Sequence, residues 1–335
     1  MSNARVTVVI PTLNAGAVLE ACLQSLDSQT MRDFEVVVVD NSGQALARAA
    51  AARSPRASTI ENQRNLGFGE AVNQGIRRSR APLIATLNDD AEAHPGWLAA
   101  LVNAMESDPA VGMCASQVRL AGQDRLDSAG MLICADGSSK QRGHGAKPGA
   151  YSRPEDVLFP SASAALYRRR MLDEIGLFDE SYFLYCEDTD LGLRARWAGW
   201  RCLYVPDAVV EHRYSHSAGR ASALKAYFVE RNRVFTVLKN FPLRMLLAVP
   251  FAAIARYCWH VVAMLQGRGK SAQFLEAGQG PLALPWYVVR SHWEALRHGP
   301  SLWRKRRAVP RKIGANQFSA LARRHAISPR EVAEL

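Results

Sequence analysis

The stretch FLYCEDTDLGLRAR (183–196) packs three acids into four positions: Glu187, Asp188 and Asp190. Four large apolar residues, Tyr182, Phe183, Leu184 and Tyr185, lead into them. Surface acids seldom follow such a run, so these carboxylates are expected in a partly desolvated place, handling a proton or a cation. Burial raises a carboxylate's pKa and suits it to work as a general base. A carboxylate at a helix start is also favoured by the helix dipole, which leaves a plain capping role open for Asp188 or Thr189. Asp190 is expected to cap that helix or to pair with Arg194 at i+4. Asn88-Asp89-Asp90 is a second acidic group, following an apolar run. It offers hard oxygen ligands for Mg²⁺ or Mn²⁺, although Asn-Asp turns are common after strands. Asp40 could accept hydrogen bonds from a ribose or a base. In RNLGFGEAVNQG (64–75), Gly67 and Gly69 permit close backbone approach, Arg64 adds a cation, and the amides of the helix that starts there can face an anion. His212 follows the strand-like VVE; imidazole there could complete a metal site, though a lone His is more often structural.

The elements that would position these groups alternate. VTVVI (6–10), EVVVVD (35–40), Ala57–Ile60 and PLIATLN (82–88) read as buried strands. Val18–Gln29, Ala45–Arg53, Gly69–Arg78 and Pro95–Ser107 read as helices. This βαβα rhythm predicts a parallel sheet covered by helices, with ligands at the carboxyl ends of its strands. Pro11-Thr12-Leu13-Asn14, Asp40 and Asn88-Asp89-Asp90 all fall at such ends. From Val111 to Phe159 the pattern becomes Gly- and Ser-rich, and short strands and loops that build an acceptor side are expected. Short helices are expected at Met171–Ile175 and Thr189–Trp197, and two strand pieces within 202–212.

The 335 residues suggest one large domain, or a domain with an appendage. The six cysteines stand singly, without a CxxC pair, which argues against zinc and a disulfide framework and for a reducing compartment. Arg5–Ile10 reads directly as a strand, so no signal peptide is expected. The net charge of +11 is uneven: residues 289–335 hold eleven Lys and Arg against three Glu, a net of +8. Such an end points to phosphate, on an anionic lipid surface or a nucleic acid. Leu243–Leu265 is mostly apolar but is interrupted by Arg244, Pro250, Arg256 and His260. A central Arg costs roughly 2.5–3.5 kcal/mol on insertion scales, so a helix lying in the interface fits better than a spanning one. A soluble helical subdomain is the rival reading.

PTLNAG, VVVVDNSG, RNLGFGEAVNQGI, TLNDDAEAHPGWL, EIGLFDESYFLYCEDTDLGLRARWAGW, VVEH and ERNR occur in an order that resembles the family-2, inverting, nucleotide-sugar glycosyltransferases. The likeness covers about residues 5 to 240 and is nearest the bacterial, rhamnosyltransferase-like branch that builds cell-surface polysaccharides. It implies an α/β GT-A fold over 1–240, with a nucleotide-binding half (1–110) and an acceptor and catalytic half (111–240). A helical, basic, membrane-associating extension (241–335) would follow. It implies that Pro11, Thr12 and Asn14 surround the nucleotide, that Asp40 contacts base or ribose, and that Arg64 and Gly67 lie near the nucleotide. Asn88, Asp89 and Asp90 match the DXD-type motif, with Asn at its first place and Asp90 as the main ligand for Mg²⁺ or Mn²⁺. His212 matches a metal or diphosphate contact. Asp188 matches the general base, Glu187 a supporting acid, and Arg231 with Asn232 a pair near the diphosphate. Phe159–Ala162 matches a loop below the sugar that often carries Gly. The implied partners are a nucleotide-diphosphate sugar, with dTDP-rhamnose or a UDP-hexose foremost, and a polyprenyl-diphosphate-linked glycan acceptor. The implied place is the cytoplasmic, inner face of the cell membrane, with no nucleic-acid partner. The alternatives are a polyprenyl-phosphate glycosyltransferase and an inactive nucleotide-sugar-binding partner; retention of Asp90, Asp188 and His212 together argues against the latter.

Overall fold

The computed structural model describes residues 4–213, 223–269 and 283–335. In the first half, strands and helices alternate: β1 (Val6–Thr12), α1 (Ala17–Asp27), β2 (Phe34–Asp40), α2 (Arg48–Ala51), β3 (Ala57–Glu61), α3 (Phe68–Arg78), β4 (Leu83–Leu87), β5 (Ala91–Ala93) and α4 (Trp97–Ser107). The β-branched runs pair in parallel, β3-β2-β1-β4, as apolarity on both faces of each strand requires. Alternation along each strand sorts the core. Val8, Ile10, Val36 and Val38 face one apolar cluster with Leu19, Leu23 and Trp97; Val9, Val37 and Val39 face the other with Val72 and Ile76. The second helix is shorter than expected and covers only Arg48–Ala51, because Asp40 holds the preceding turn by accepting from the Ser42 and Ala47 amides.

The second half extends the same sheet with β6 (Val111–Leu120), β7 (Leu126–Ser128), β10 (Glu155–Asp156), β11 (Ala164–Arg168) and β12 (Arg201–His212); β8 (Met131–Ile133) and β9 (Ser139–Gln141) form a separate hairpin. β11 runs antiparallel between β4 and β6, and β12 lies parallel to β6. Two strand pieces were expected over 202–212. Instead one strand runs through with a register shift between Val205 and Val209. The bulge, at Pro206, re-aims the strand's last turn toward β5. α5 (Arg169–Ile175) and α6 (Glu187–Trp197) close this half.

α7 (Ala223–Asn240), α8 (Leu243–Leu246), α9 (Val249–Leu265), α10 (Ala283–Ala308), α11 (Ala315–Arg324) and α12 (Pro329–Glu334) follow. A capping box starts α12: Ser328 Oγ accepts from the Glu331 amide and the Glu331 carboxylate accepts from the Ser328 amide. Among the described residues, Leu243–Leu265 is the one helical stretch long and apolar enough to cross a membrane, with mean hydropathy 1.5. Its central Arg256 is nevertheless 7% exposed and inside the protein. Arg256 Nε donates to Asp136 at 2.5 Å and Nη2 to Glu230 at 2.8 Å, while Arg233 and Tyr257 bond the same Glu230. Those four charges cancel and pin one face of α9 to α7 and the β8–β9 connection. The other face, with Phe251, Ile254, Val261 and Leu265, is exposed. This packing lays α9 across the protein with one apolar face outward.

The basic end is partly consumed by the fold. Lys305 bonds Asp179, Arg306 donates to the Leu238 carbonyl, Lys312 pairs with Glu174 and Arg330 with Glu334. Arg304, Arg307, Arg323 and Arg324 remain exposed.

Candidate active site

A cavity of about 1020 Å³ opens at the carboxyl ends of β1 and β4. Pro11 and Thr12 line it from β1, and Asn88, Asp89 and Asp90 from the turn after β4. Gly67 lines it before α3, Glu187 and Asp188 at the start of α6, and His212 at the end of β12. Antiparallel pairing sets His212 opposite Ala91, so its ring stands beside Asp90. His212 Nε2 is 3.2 Å from Asp90 Oδ1 and 3.3 Å from Asn88 Nδ2; Nδ1 is 2.8 Å from Asp127 Oδ2. Burial alone would lower the imidazole pKa, but hydrogen bonds to Asp127 and Asp90 outweigh it and lift it to about 10. Burial would likewise raise Asp127, and the hydrogen bonds from His144 and His212 overcome it and hold that carboxyl low. Thr12 Oγ1 donates to Asp89 Oδ2 at 2.5 Å, which fixes Asp89 and leaves Asp90 as the acid facing His212.

Burial and backbone strain set the 183–196 stretch apart. Phe183, Tyr185 and Cys186 have φ of 60°, 68° and 64°, the left-handed region that bulky residues avoid. The loop is held there from α7: Asn232 Nδ2 donates to the carbonyls of Tyr182, Leu184 and Tyr185 at 2.7–2.8 Å. Arg231 Nη2 donates to those of Ser181 and Tyr182. Phe183 O accepts from the Phe68 amide, and a Cβ on Gly67 would lie 2.3 Å from that oxygen, so Gly67 (φ +87°) has to be glycine. The sharp turn delivers Glu187 and Asp188 to the first turn of α6. Glu187 is raised to about 8 by burial and then by Asp188, and its Oε2 has no hydrogen-bond partner. Asp188 is also raised by burial, but the Thr189 amide donates to Oδ1 at 2.6 Å and the Ala162 amide to Oδ2 at 3.4 Å. Those donors stabilise the anion, so Asp188 is the charged member and Glu187 holds the proton. Asp190 takes the expected partner: Arg194 Nε donates to it at 2.9 Å, with Lys239 and Asn240 beside it.

Five expected site residues lie outside this cavity. Asn14 and Arg64 are exposed, and Asp40 is buried in its own turn. Arg231 and Asn232 hold the 181–185 loop. The side chains that sequence reasoning passed over are Asp127 and the Ser139–Lys140 pair. They sit in the Gly- and Ser-rich segment, where no periodicity marks them.

A sequence profile for glycosyl transferase family 2 matches residues 7–176. The chain belongs to that family. Over 246 residues it is 32% identical to the N-acetylglucosaminyl-diphospho-decaprenol L-rhamnosyltransferase of Mycobacterium tuberculosis, covering 66% of this chain and 80% of the relative. An N-acetylglucosaminyltransferase of Rhizobium meliloti is 29% identical over 224 residues, covering 61% and 50%. Among solved structures, mannosyltransferase PcManGT from Pyrobaculum calidifontis, in complex with GDP-Man and Mn²⁺, aligns over 87% of each chain with a TM-score of 0.53 and 19% identity. GalNAc-T7 with UDP, GalNAc and Mn²⁺ covers 70% of this chain, with a TM-score of 0.54 and 16% identity; this chain spans 50% of that one. At such identity the structures establish the GT-A fold alone.

The donor set of this family 2 chain fits a divalent cation. Among the described residues no three His, Cys, Asp or Glu side chains form a full metal cage. Asp90 and His212 converge as two donors, and Asp90 Oδ1 is buried without a well-directed hydrogen bond. Two protein ligands suit a hard cation that completes its shell from a bound diphosphate. Asp127 on Nδ1 would fix the ring so that Nε2 faces the ion.

Proposed function

We propose that the protein is an inverting glycosyltransferase that moves a sugar, foremost L-rhamnose or a hexose, from a nucleotide diphosphate to a hydroxyl of a lipid-linked glycan. The observation that carries this reading is the shared cavity: a carboxylate stabilised as an anion, Asp188, stands in the same space as the Asp90–His212 pair. Pro11, Thr12 and Asn88 flank the nucleotide, Asp89 is fixed by Thr12, and Asp90 with His212 would hold Mg²⁺ or Mn²⁺, which would supply charge neutralisation for the departing diphosphate. Asp188 accepts the proton of the acceptor hydroxyl. The hydroxyl oxygen bonds to the anomeric carbon on the face opposite the leaving group. The bond from that carbon to the diphosphate oxygen breaks, its electron pair leaves with the nucleoside diphosphate, and the configuration inverts. Glu187, protonated, is a hydrogen-bond donor toward the acceptor.

The likeness to the decaprenol-linked relative, and the exposed apolar face of α9, support a polyprenyl-diphosphate-linked acceptor at the inner face of the cell membrane. Residues 1–240 would then carry the transfer and 241–335 the membrane contact. A thermal-shift panel of UDP, dTDP, GDP and CDP, with and without Mn²⁺, tests the donor reading. One nucleotide stabilising only with metal is the expected result, about 2.7 kcal/mol at 100 Kd. No stabilisation by any of the four would overturn it.

A further inference from the structure

The C-terminal extension reaches the loop that delivers Glu187 and Asp188. α10 lays Ala295 and Leu302 into one buried apolar cluster with Tyr182, Val234 and Phe235, and Cys186 packs against that cluster. Tyr182 and Cys186 stand at the two ends of the left-handed turn. Near the end of α10, Lys305 Nζ donates to Asp179 Oδ1 at 2.5 Å and to Ser181 Oγ at 3.1 Å. The same Asp179 oxygen accepts from the Ser181 amide and hydroxyl, which starts the single helical turn Glu180–Tyr182. Its other oxygen accepts from Lys239 of α7 at 2.8 Å, and Lys239 also donates to Asp190 at 2.9 Å. The alternating charges Lys305, Asp179, Lys239 and Asp190 therefore brace the loop from its entry to the first turn of α6. Burial alone would raise the Asp179 carboxyl; Lys239 and then Lys305 hold it well below the usual carboxylate range.

What Lys305 adds is separable from what the fold needs. Lys239 and Arg194 already balance Asp179 and Asp190, so the buried charges stay matched without it. Lys305 is half-buried and does not line the cavity, so its reach to the site runs through the loop. Left-handed non-glycine residues persist only where their surroundings hold them. Arg231 and Asn232 supply that hold from α7, and Lys305 with Leu302 supplies it from α10.

We infer that α10 is a positioning element for the general base: Lys305 and Leu302 hold the entry to the 183–186 turn, so that Asp188 keeps its place against the Ala162 amide. This inference rests on the reading of Asp188 as the base. It gives the extension a task besides membrane contact and makes Lys305 a positioning residue.

Hydrogen exchange of the full chain tests it. The Tyr182, Phe183 and Asp190 amides are hydrogen-bonded within the segment, and the Ala162 amide reports on Asp188 itself. Lys305→Met should speed exchange at all four about 10-fold, the effect of losing one charge-assisted hydrogen bond at a half-buried place. Amides of β1 and β4 should keep their rates. Mn²⁺-dependent stabilisation by UDP, dTDP, GDP or CDP should match wild type, because Asp90 and His212 stand on other elements. A cooperative melt shows that the variant is folded. Lys305→Arg should restore slow exchange, which a role in packing alone would not require. Leu302→Ala, on the apolar side of the same hold, should loosen the same four amides independently. Wild-type exchange at the Ala162 amide in Lys305→Met would overturn the inference, as would failure of Lys305→Arg to restore it. Equal acceleration in β1 and β4, the mark of a merely structural residue, would overturn it too. Failure of the base assignment is a separate outcome, seen as an active Asp188→Asn enzyme.

Discussion

At the scale of single residues, two adjacent carboxylates share one pocket and differ in what donates to them. The Thr189 and Ala162 amides favour a charged Asp188, whereas Glu187 Oε2 has no partner. General base catalysis is typically worth 10²–10⁴-fold, so Asp188→Asn should cut kcat by about that factor and leave nucleotide binding nearly unchanged. An active Asp188→Asn enzyme would remove Asp188 from this role. Glu187 makes a different prediction. Its folded pKa of about 8 lies above its ordinary 4.5, so the folded state binds the proton more tightly. Stability tied to this group is therefore complete at low pH and is lost as pH rises from about 4.5 to about 8. Glu187→Gln should gain roughly 1–3 kcal/mol over wild type at pH 8 and less at pH 5, read from urea midpoints. The acids themselves were legible from their apolar approach, and Asp190 from its i+4 spacing to Arg194. The roles of Glu187 and Asp188 are implied by the family resemblance alone; the donors that set the two acids apart were not legible, because the Ala162 amide reaches Asp188 across 26 positions of sequence.

Between elements, the site depends on contacts that no local pattern announces. Gly67 reads as a residue making room for a phosphate, yet what approaches it is the Phe183 carbonyl. Arg231 and Asn232 read as diphosphate contacts, yet their donors point to the loop at 181–185 and hold three left-handed residues in place. Asn232→Ala would strip the side-chain donor from the Leu184 and Tyr185 carbonyls, leave that of Tyr182 to Arg231 alone, and release that strain. A loss of about 2–4 kcal/mol in urea unfolding is expected, with kcat falling further than donor affinity. Asp127 is the converse case, a residue the sequence hid. It lies on a three-residue strand and bonds the far side of His212 as well as His144. Orienting partners of metal ligands are worth 10–100-fold in affinity, so Asp127→Asn should weaken Mn²⁺-dependent nucleotide binding by about that amount. Unchanged Mn²⁺ titration in the variant would disconnect Asp127 from the metal. The parallel half was the easily read part, since strands buried on both faces show as unbroken β-branched runs.

At the scale of the whole molecule, the proposed membrane contact depends on how Leu243–Leu265 packs. Composition favours an interfacial helix, since Leu243–Leu265 is long enough to span but carries Arg244 and Arg256. Packing supports this: Arg256 is held by Asp136 and Glu230, and pulling α9 into a bilayer would strand buried charges on both sides. The exposed side of α9 offers Phe251, Ile254 and Leu265; α10 adds Trp286, Val289 and Trp293. An apolar face with aromatic residues and flanking Arg304 and Arg307 suits the headgroup zone, where each basic residue adds about 1 kcal/mol on an anionic surface. The protein should therefore float with vesicles containing anionic lipid, bind neutral vesicles more weakly, and lose part of its binding in 1 M salt. Alkaline carbonate should release it, whereas a spanning helix would resist extraction. Phe251→Glu combined with Trp293→Glu should reduce vesicle binding at least ~10-fold, since each side chain contributes roughly 1.5–3 kcal/mol when buried. Because both residues are exposed in the protein, the melting temperature should barely change. Retention in the membrane after carbonate, or vesicle binding untouched by the double substitution, would mean that this face is not the one that docks.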